Sequence, residues 1–401
     1  MPLQPSAQRD CVRRLLAHLA SGTTDLCDAP LPVPADHFTT PEHLAREHEA
    51  VFRRQPTLVA LSADLPDRGS FVPVEVAGVP LLIVRHRDDQ IRAFLNGCRH
   101  RGTPLASRRG RAQGGTLQCP FHAWTYNTDG GLAAIPGPEE AFASCDREGL
   151  GLLPRPCLET DGLVFVRAVG EEPIDAEATL KGIGEDLRSL ELARYHHFET
   201  RTTQWRCNWK LALATFLESY HVFSLHRETV DPWYLSHPMI SDGWGPNLRF
   251  PVARRSVASL AQVPETQWRL GDHATLQWLV GATRLVTHTR DTALLWQFEA
   301  LAPDLCEIRT SLYSTAQAIG AMWSPAPGHP TGPLRERLVN ELALQLRVTG
   351  EEDFPAQEGI QRVLSSGQLP EVLFGRNEVA AVHFHRALAA RLAAGEGGTS
   401  S

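Results

Sequence analysis

The stretch that constrains this chain most is NGCRHRGTPLASRRGRAQGGTLQCPFHAWTY, residues 96–126. It holds two Cys/His pairs, Cys98-x-His100 and Cys119-x2-His122, separated by 18 residues. Thiolate and imidazole recurring together at such short spacing mark a metal site. A tetrahedral zinc ion is one candidate for a Cys2His2 set. The familiar zinc finger, however, takes both cysteines from one pair and both histidines from the other, whereas here each pair supplies one of each. This pattern suits a two-iron cluster with unlike ends, both cysteines on one iron and both histidines on the other. Gly97 and Gly102 would let backbone N–H groups approach the bridging sulfides. Zinc stays the alternative on spacing alone.

The surrounding sequence reads as β structure. From about residue 70 to 168, short runs such as FVPVEVAG, GTLQCPFHAWTYNTDGGL and DGLVFVRA are separated by turn signals, including Asp129-Gly130 and Asp161-Gly162. They predict a compact antiparallel β domain. Ahead of it lie a short helix carrying Leu15, Leu16 and Leu19, and a second helix capped by Thr40 with Pro41 at its first position. Beyond residue 200 the spacing predicts a helix over 208–225, strands over 246–318, helices near 333–364 and 377–394, and a disordered tail. A net charge of −7 with mixed signs argues against nucleic acid as a partner. No window of 18 apolar residues predicts a membrane span. The first 20 residues lack the apolar run of a signal peptide, so a cytoplasmic location is expected. In that compartment the eight cysteines are expected to be free, metal-bound or catalytic rather than paired. Arg108, Arg109 and Arg111 read as a solvated loop, or as a docking patch for an acidic electron donor.

A second set of metal-binding residue types begins at Asn208, in NWKLALATFLESYHVFSLHRETV. His221 and His226 are five apart, about 140° around a regular helix. They meet on one ion only if the helix breaks or widens between them. Glu218, three residues before His221, shares its helix face.

Residues 96–126 resemble the Rieske domain of the ring-hydroxylating, Rieske non-heme iron oxygenases. The C-x-H-R-G run, the C-P-[FY]-H-x-W loop and the following T-Y all match. The helix opening N-W-K is similar to that family's iron-binding helix, and NEVAAVHFHRALAARL to its last helix, so the likeness spans about residues 45 to 395. It implies an α+β fold, an antiparallel β Rieske domain plus a helix-grip (START/SRPBCC-like) catalytic domain. The expected division is an N-terminal segment at 1–45, a Rieske domain with a leading helix at 46–170, a catalytic domain at 171–395 and a tail at 396–401.

The resemblance assigns Cys98, His100, Cys119 and His122 to a Rieske [2Fe–2S] cluster. It assigns His221 and His226, with one carboxylate, to a mononuclear Fe(II). Asp353 is the expected carboxylate, eight residues before Gln361, with Glu352 as the fallback. Glu218 is implied as a bridge between His221 and the partner subunit's His122 in a head-to-tail homotrimer. Glu218 with Tyr220 and His221, in E-x-Y-H, also resembles the branch acting on quaternary ammonium compounds. The implied activity is that of an oxygenase component, a mono- or dioxygenase. It would use O2 and NAD(P)H electrons, delivered by a separate ferredoxin or flavoprotein reductase, to hydroxylate, dihydroxylate or demethylate a small molecule. Trp209, Tyr220 and Phe223 are expected to line the substrate pocket. The competing readings are a Rieske-type electron carrier and a zinc-stabilised binding module.

Overall fold

The computed structural model of the chain describes residues 3–315 and 334–396. The predicted disordered tail lies outside the described residues, apart from Glu396 at a helix end. The chain forms two compact units, Phe52–Thr179 and Met1–Val51 with Leu180–Ser401.

The Phe52–Thr179 unit is built of three antiparallel sheets. The largest orders Pro154–Arg155, Ile91–Leu95, Val79–Arg85, Ser70–Val76 and Gly110–Arg111 side by side. A three-stranded sheet orders Thr116–Gln118, Thr125–Asn127 and Leu132–Ala134. Leu82, Val84, Phe94, Leu117, Trp124 and Tyr126 form a core that also buries Cys98 and Cys119. The two cysteines, on loops just past the strands Ile91–Leu95 and Thr116–Gln118, turn into this core, while the histidines of the same loops stay nearer the surface.

The other unit is organised by an eight-stranded antiparallel sheet among the described residues. Its central strands are β1 (Tyr195–Trp205), β2 (Ala274–Val280), β3 (Arg284–Thr289), β4 (Thr292–Ala302) and β5 (Leu305–Thr315). They lie side by side in the order β1-β5-β4-β3-β2. The predicted helix over 208–225 is broken into Trp209–Ala214 and the single turn Val222–Leu225. The predicted 333–364 helix runs as Leu334–Val348, a π-helical turn Thr349–Asp353, and Phe354–Ser365. The last helix is Val379–Glu396.

The first 51 residues belong to this unit, so the boundaries fall later than the expected 45 and 170. The helix expected to lead the Rieske domain, Pro41–Glu47, instead inserts its final residue among the catalytic helices. Lys210 Nζ donates to Glu47 Oε1 at 2.6 Å and Trp209 Nε1 to Oε2 at 2.8 Å, with the lysine 1% and the glutamate 0% exposed. Burial alone would raise the Glu47 carboxyl, but Lys210, His43 and Trp209 outweigh it and hold it below the usual range. This contact also corrects the expectation for Trp209. A buried indole N–H needs an acceptor, and the one it finds lies in the core, where the ring packs edge-on to Phe384. Removing one half of such a pair strands the other charge. Lys210→Met is expected to cost about 3–5 kcal/mol in denaturant unfolding, and the double change with Glu47→Leu to recover most of it.

Candidate metal centres

Each of the two Cys/His pairs sits on a tight loop at one end of the β unit. Cys98 N–H donates to Thr103 O at 2.9 Å and Gly102 N–H to Cys98 O at 2.8 Å, a turn that places Gly102 at φ +77°. Cys119 N–H donates to Trp124 O at 2.8 Å and Ala123 N–H to Cys119 O at 3.0 Å. The loops bring the rings of His100 and His122 to 4.8 Å between centroids. His100 stacks on Trp124 at 5.0 Å, while His122 is exposed beside Phe121. The donor set therefore has a buried thiolate end and an accessible imidazole end. That division suits a two-iron cluster with unlike ends.

Tyr126 Oη lies 3.3 Å from Cys98 Sγ and accepts the Arg99 N–H at 3.0 Å. Burial and the contact with Cys98 push its hydroxyl well above the usual tyrosine range, so it remains a donor to the sulfur. A hydrogen bond to a ligand sulfur stabilises the reduced, more negative cluster. Tyr126→Phe is expected to lower the midpoint potential by roughly 60 mV, about 1.4 kcal/mol in a one-electron couple, in EPR-monitored redox titration. Of the basic run, Arg109 is tied to Asp64 at 2.9 Å and Arg111 reaches Asp67 at 3.5 Å.

In the other unit, the helix ends between the two histidines, which removes the 140° difficulty. His221 stands at the start of the Val222–Leu225 turn and His226 at its end. Their Nε2 atoms face each other at 3.1 Å. The π-helical turn then presents Asp353, whose Oδ1 lies 3.5 Å from His221 Nε2 and 3.0 Å from His226 Nε2. The three donor atoms lie within 4.8 Å of one another. Tyr220 and Phe223, expected in the pocket, stand about half exposed next to this turn.

Two further carboxylates determine what that convergence means. Glu218 accepts from His221 at both the ring Nδ1 and, at 3.1 Å, the backbone N–H. Glu352 accepts from His226 Nδ1 at 2.5 Å and from Thr229 Oγ1 at 2.8 Å. With each Nδ1 carrying its proton toward a carboxylate, both Nε2 atoms present lone pairs. Asp353 Oδ1 adds more lone-pair density, is 4% exposed as a residue, and accepts no hydrogen bond. Three inward lone pairs at 3.0–3.5 Å repel one another unless a cation sits among them. The residues fit a 2-His-1-carboxylate metal site. Sequence reasoning missed Glu352 as the residue that orients His226. Its only signal was adjacency to Asp353 in the run Glu351-Glu352-Asp353.

Residues 192–394, about half of the chain, match the family model for the ring hydroxylating alpha subunit (catalytic domain). The chain belongs to the ring-hydroxylating alpha-subunit family. Residues 55–152 match the Rieske [2Fe-2S] domain model. The cofactors of this alpha subunit are accordingly a Rieske [2Fe–2S] cluster and a mononuclear iron. It is 30% identical to the carnitine monooxygenase oxygenase subunit of Acinetobacter baumannii over 256 residues, 60% of this chain and 65% of the relative. The Escherichia coli carnitine monooxygenase oxygenase subunit is matched over 52% of its length, so the chain spans about half to two-thirds of these relatives. The fold is shared with the quaternary ammonium Rieske monooxygenase CntA in complex with L-carnitine: TM-score 0.73, 20% identity, 90% of this chain and 96% of that one. It is equally shared with naphthalene 1,2-dioxygenase from Rhodococcus sp. bound to indole: TM-score 0.70, 18% identity, 96% and 98% covered. Among the described residues, no helix of this alpha subunit is long and apolar enough to cross a membrane.

Proposed function

We propose that this alpha subunit is the oxygenase component of a multicomponent system, inserting oxygen from O2 into a small organic substrate, quaternary ammonium or aromatic. The supporting observation is the convergence of His221, His226 and Asp353 with their imidazoles held by separate carboxylates. When bound, the iron supplies O2 activation and the cluster supplies the electrons for it. The chain's own residues do the rest. Glu218 and Glu352 hold the Nδ1 protons and so keep both imidazole lone pairs aimed inward. Phe354, the residue after Asp353, is buried, and Phe216 packs on Trp296 at 4.9 Å.

The homotrimer and the Glu218 bridge belong to this proposal. Tyr220, His237, Leu26, Leu373 and Glu378 line an open groove of about 870 Å3 on the catalytic unit. Glu378 feels the charges of Glu218 and His221, so the groove adjoins the iron ligands. A head-to-tail ring would seat the partner subunit's His122 there, within reach of Glu218. The reductase partner follows from the same scheme.

The deciding experiment pairs purified holoprotein with a surrogate reductase and screens methylammonium and aromatic compounds for O2 uptake coupled to product. Coupled uptake with about three irons per chain is expected. About two irons per chain and no coupled product would leave an electron carrier, and zinc without acid-labile sulfide a binding module.

A further inference from the structure

The two histidines of the mononuclear site are held by carboxylates of different origin. Glu218 lies three residues before His221 and accepts that residue's backbone N–H at 3.1 Å as well as its ring, so one local turn fixes donor and acceptor together. Glu352 stands 126 residues from His226 and arrives on the π-helical turn Thr349–Asp353. Its side chain is 23% exposed. A glutamate with three rotatable bonds and solvent beside it gains entropy by leaving the imidazole, so a second contact is needed to keep it there.

That contact comes from the histidine's own segment. After His226 the chain folds back into a tight turn, in which the backbone N–H groups of Thr229, Val230 and Asp231 all donate to His226 O, at 3.1, 3.1 and 3.0 Å. Arg255 anchors the far end of the turn, donating to Asp231 O at 2.9 Å and to Asp231 Oδ1 at 3.0 Å. The turn aims the partly buried Thr229 side chain at Glu352, and Thr229 Oγ1 donates to Glu352 Oε2 at 2.8 Å. The same oxygen accepts from His226 Nδ1 at 2.5 Å. The contacts close a ring: Thr229 N–H to His226 O, Thr229 Oγ1 to Glu352 Oε2, and His226 Nδ1 to that same Oε2. Asp353 follows Glu352 in sequence, so the ring stitches the segment bearing the two histidines to the segment bearing the third ligand.

Resting on the mononuclear-iron reading of this site, we propose that Thr229 is a positioning residue for it: its hydroxyl fixes the Glu352 carboxylate that holds His226. A hydroxyl that donates to the carboxylate leaves that oxygen free to accept the Nδ1 proton as well. The imidazole then keeps its Nε2 lone pair aimed at the place where Asp353 Oδ1 and His221 Nε2 converge. Without the hydroxyl the three ligands remain, but Glu352 can turn to water and the His226 ring loses its orientation.

The test is equilibrium binding of Co(II), a redox-stable stand-in for Fe(II), to protein that keeps its cluster but has lost its mononuclear metal to a chelator. Thr229→Val keeps the shape and removes the hydroxyl. It should weaken Co(II) binding by about tenfold, the lower end of what an outer partner of a metal ligand contributes. Thr229→Ser keeps the hydroxyl and should bind within about twofold of wild type. Added to Glu352→Ala, Thr229→Val should cost nothing further, because its effect runs through a carboxylate that is no longer present. Wild-type affinity in Thr229→Val, equal weakening in Thr229→Ser, or effects that add in the double variant would overturn the proposal. Thr229→Ala also lacks the hydroxyl and takes the same place in the cycle should Thr229→Val fold poorly. Wild-type protein that takes up no Co(II) would sink the metal site and the role of Thr229 with it. Tight wild-type binding with an indifferent Thr229→Val would sink the role alone.

Discussion

Asp353→Ala is expected to abolish turnover and to lower the iron content from about three to about two per chain, while the Rieske absorption and EPR signal persist. The reason is geometric. Asp353 Oδ1 is the third of three donor atoms within 4.8 Å, and neither the cysteines nor the histidines of the cluster belong to that group. Two imidazoles alone bind a divalent ion far less well than a triad. Glu352 cannot take over, because its Oε2 is held by His226 Nδ1 and Thr229 Oγ1 on the far side of the His226 ring. Metal analysis together with single-turnover product yield checks this. Retention of full iron and activity in Asp353→Ala would move the ligand role to Glu352. Glu352→Gln is the companion case: the ligand set survives but the hold on His226 weakens, so iron affinity falls by about 10- to 100-fold.

Glu218→Gln is expected to keep both metal sites and the oligomer and to slow oxidation of the pre-reduced cluster by about 100-fold, with substrate and O2 present. The carboxylate accepts from the ring and backbone of His221 within one chain, and its side chain is 14% exposed. Tyr220, two residues on, lines the groove. Glutamine preserves the shape and removes the charge that a charge-assisted bridge requires. Glu218→Asp keeps the charge and loses only reach, so its rate should fall less. Rapid-mixing absorbance at the cluster bands reads both variants. An unchanged rate in Glu218→Gln, or a fully active monomer in sedimentation, removes the bridge from the mechanism.

Several residues brought together by the fold were invisible as partners in the sequence. Cys207 and Cys306, 99 residues apart and without paired spacing, bring their sulfurs to 3.9 Å as buried thiols. Lys210 and Glu47 are likewise far apart in sequence and form a buried ion pair. Trp209 read as a pocket aromatic because sequence shows that a residue is apolar but not which side of the core it faces. Register supplies that information for strands: that Trp296 shares a face with Leu285 and Thr310 emerges only once β3, β4 and β5 are aligned.

What the sequence determined by itself was local and chemical. The Cys/His spacing of residues 96–126 requires two loops that each give one thiolate and one imidazole, because loop ligands a few residues apart can hardly land elsewhere. The β texture around them and the N-W-K segment were legible for the same reason: apolar periodicity reports burial over a few residues. The tertiary structure alone decided the rest. Whether His221 and His226 meet depends on the helix ending between them, after the single turn Val222–Leu225, with His226 outside it. Whether Asp353 or Glu352 faces them depends on a π-helical turn, in which a one-residue change of phase swings the side chain by roughly a quarter turn. Those choices are made by packing against strands and helices more than 100 residues away, and no short-range pattern encodes them.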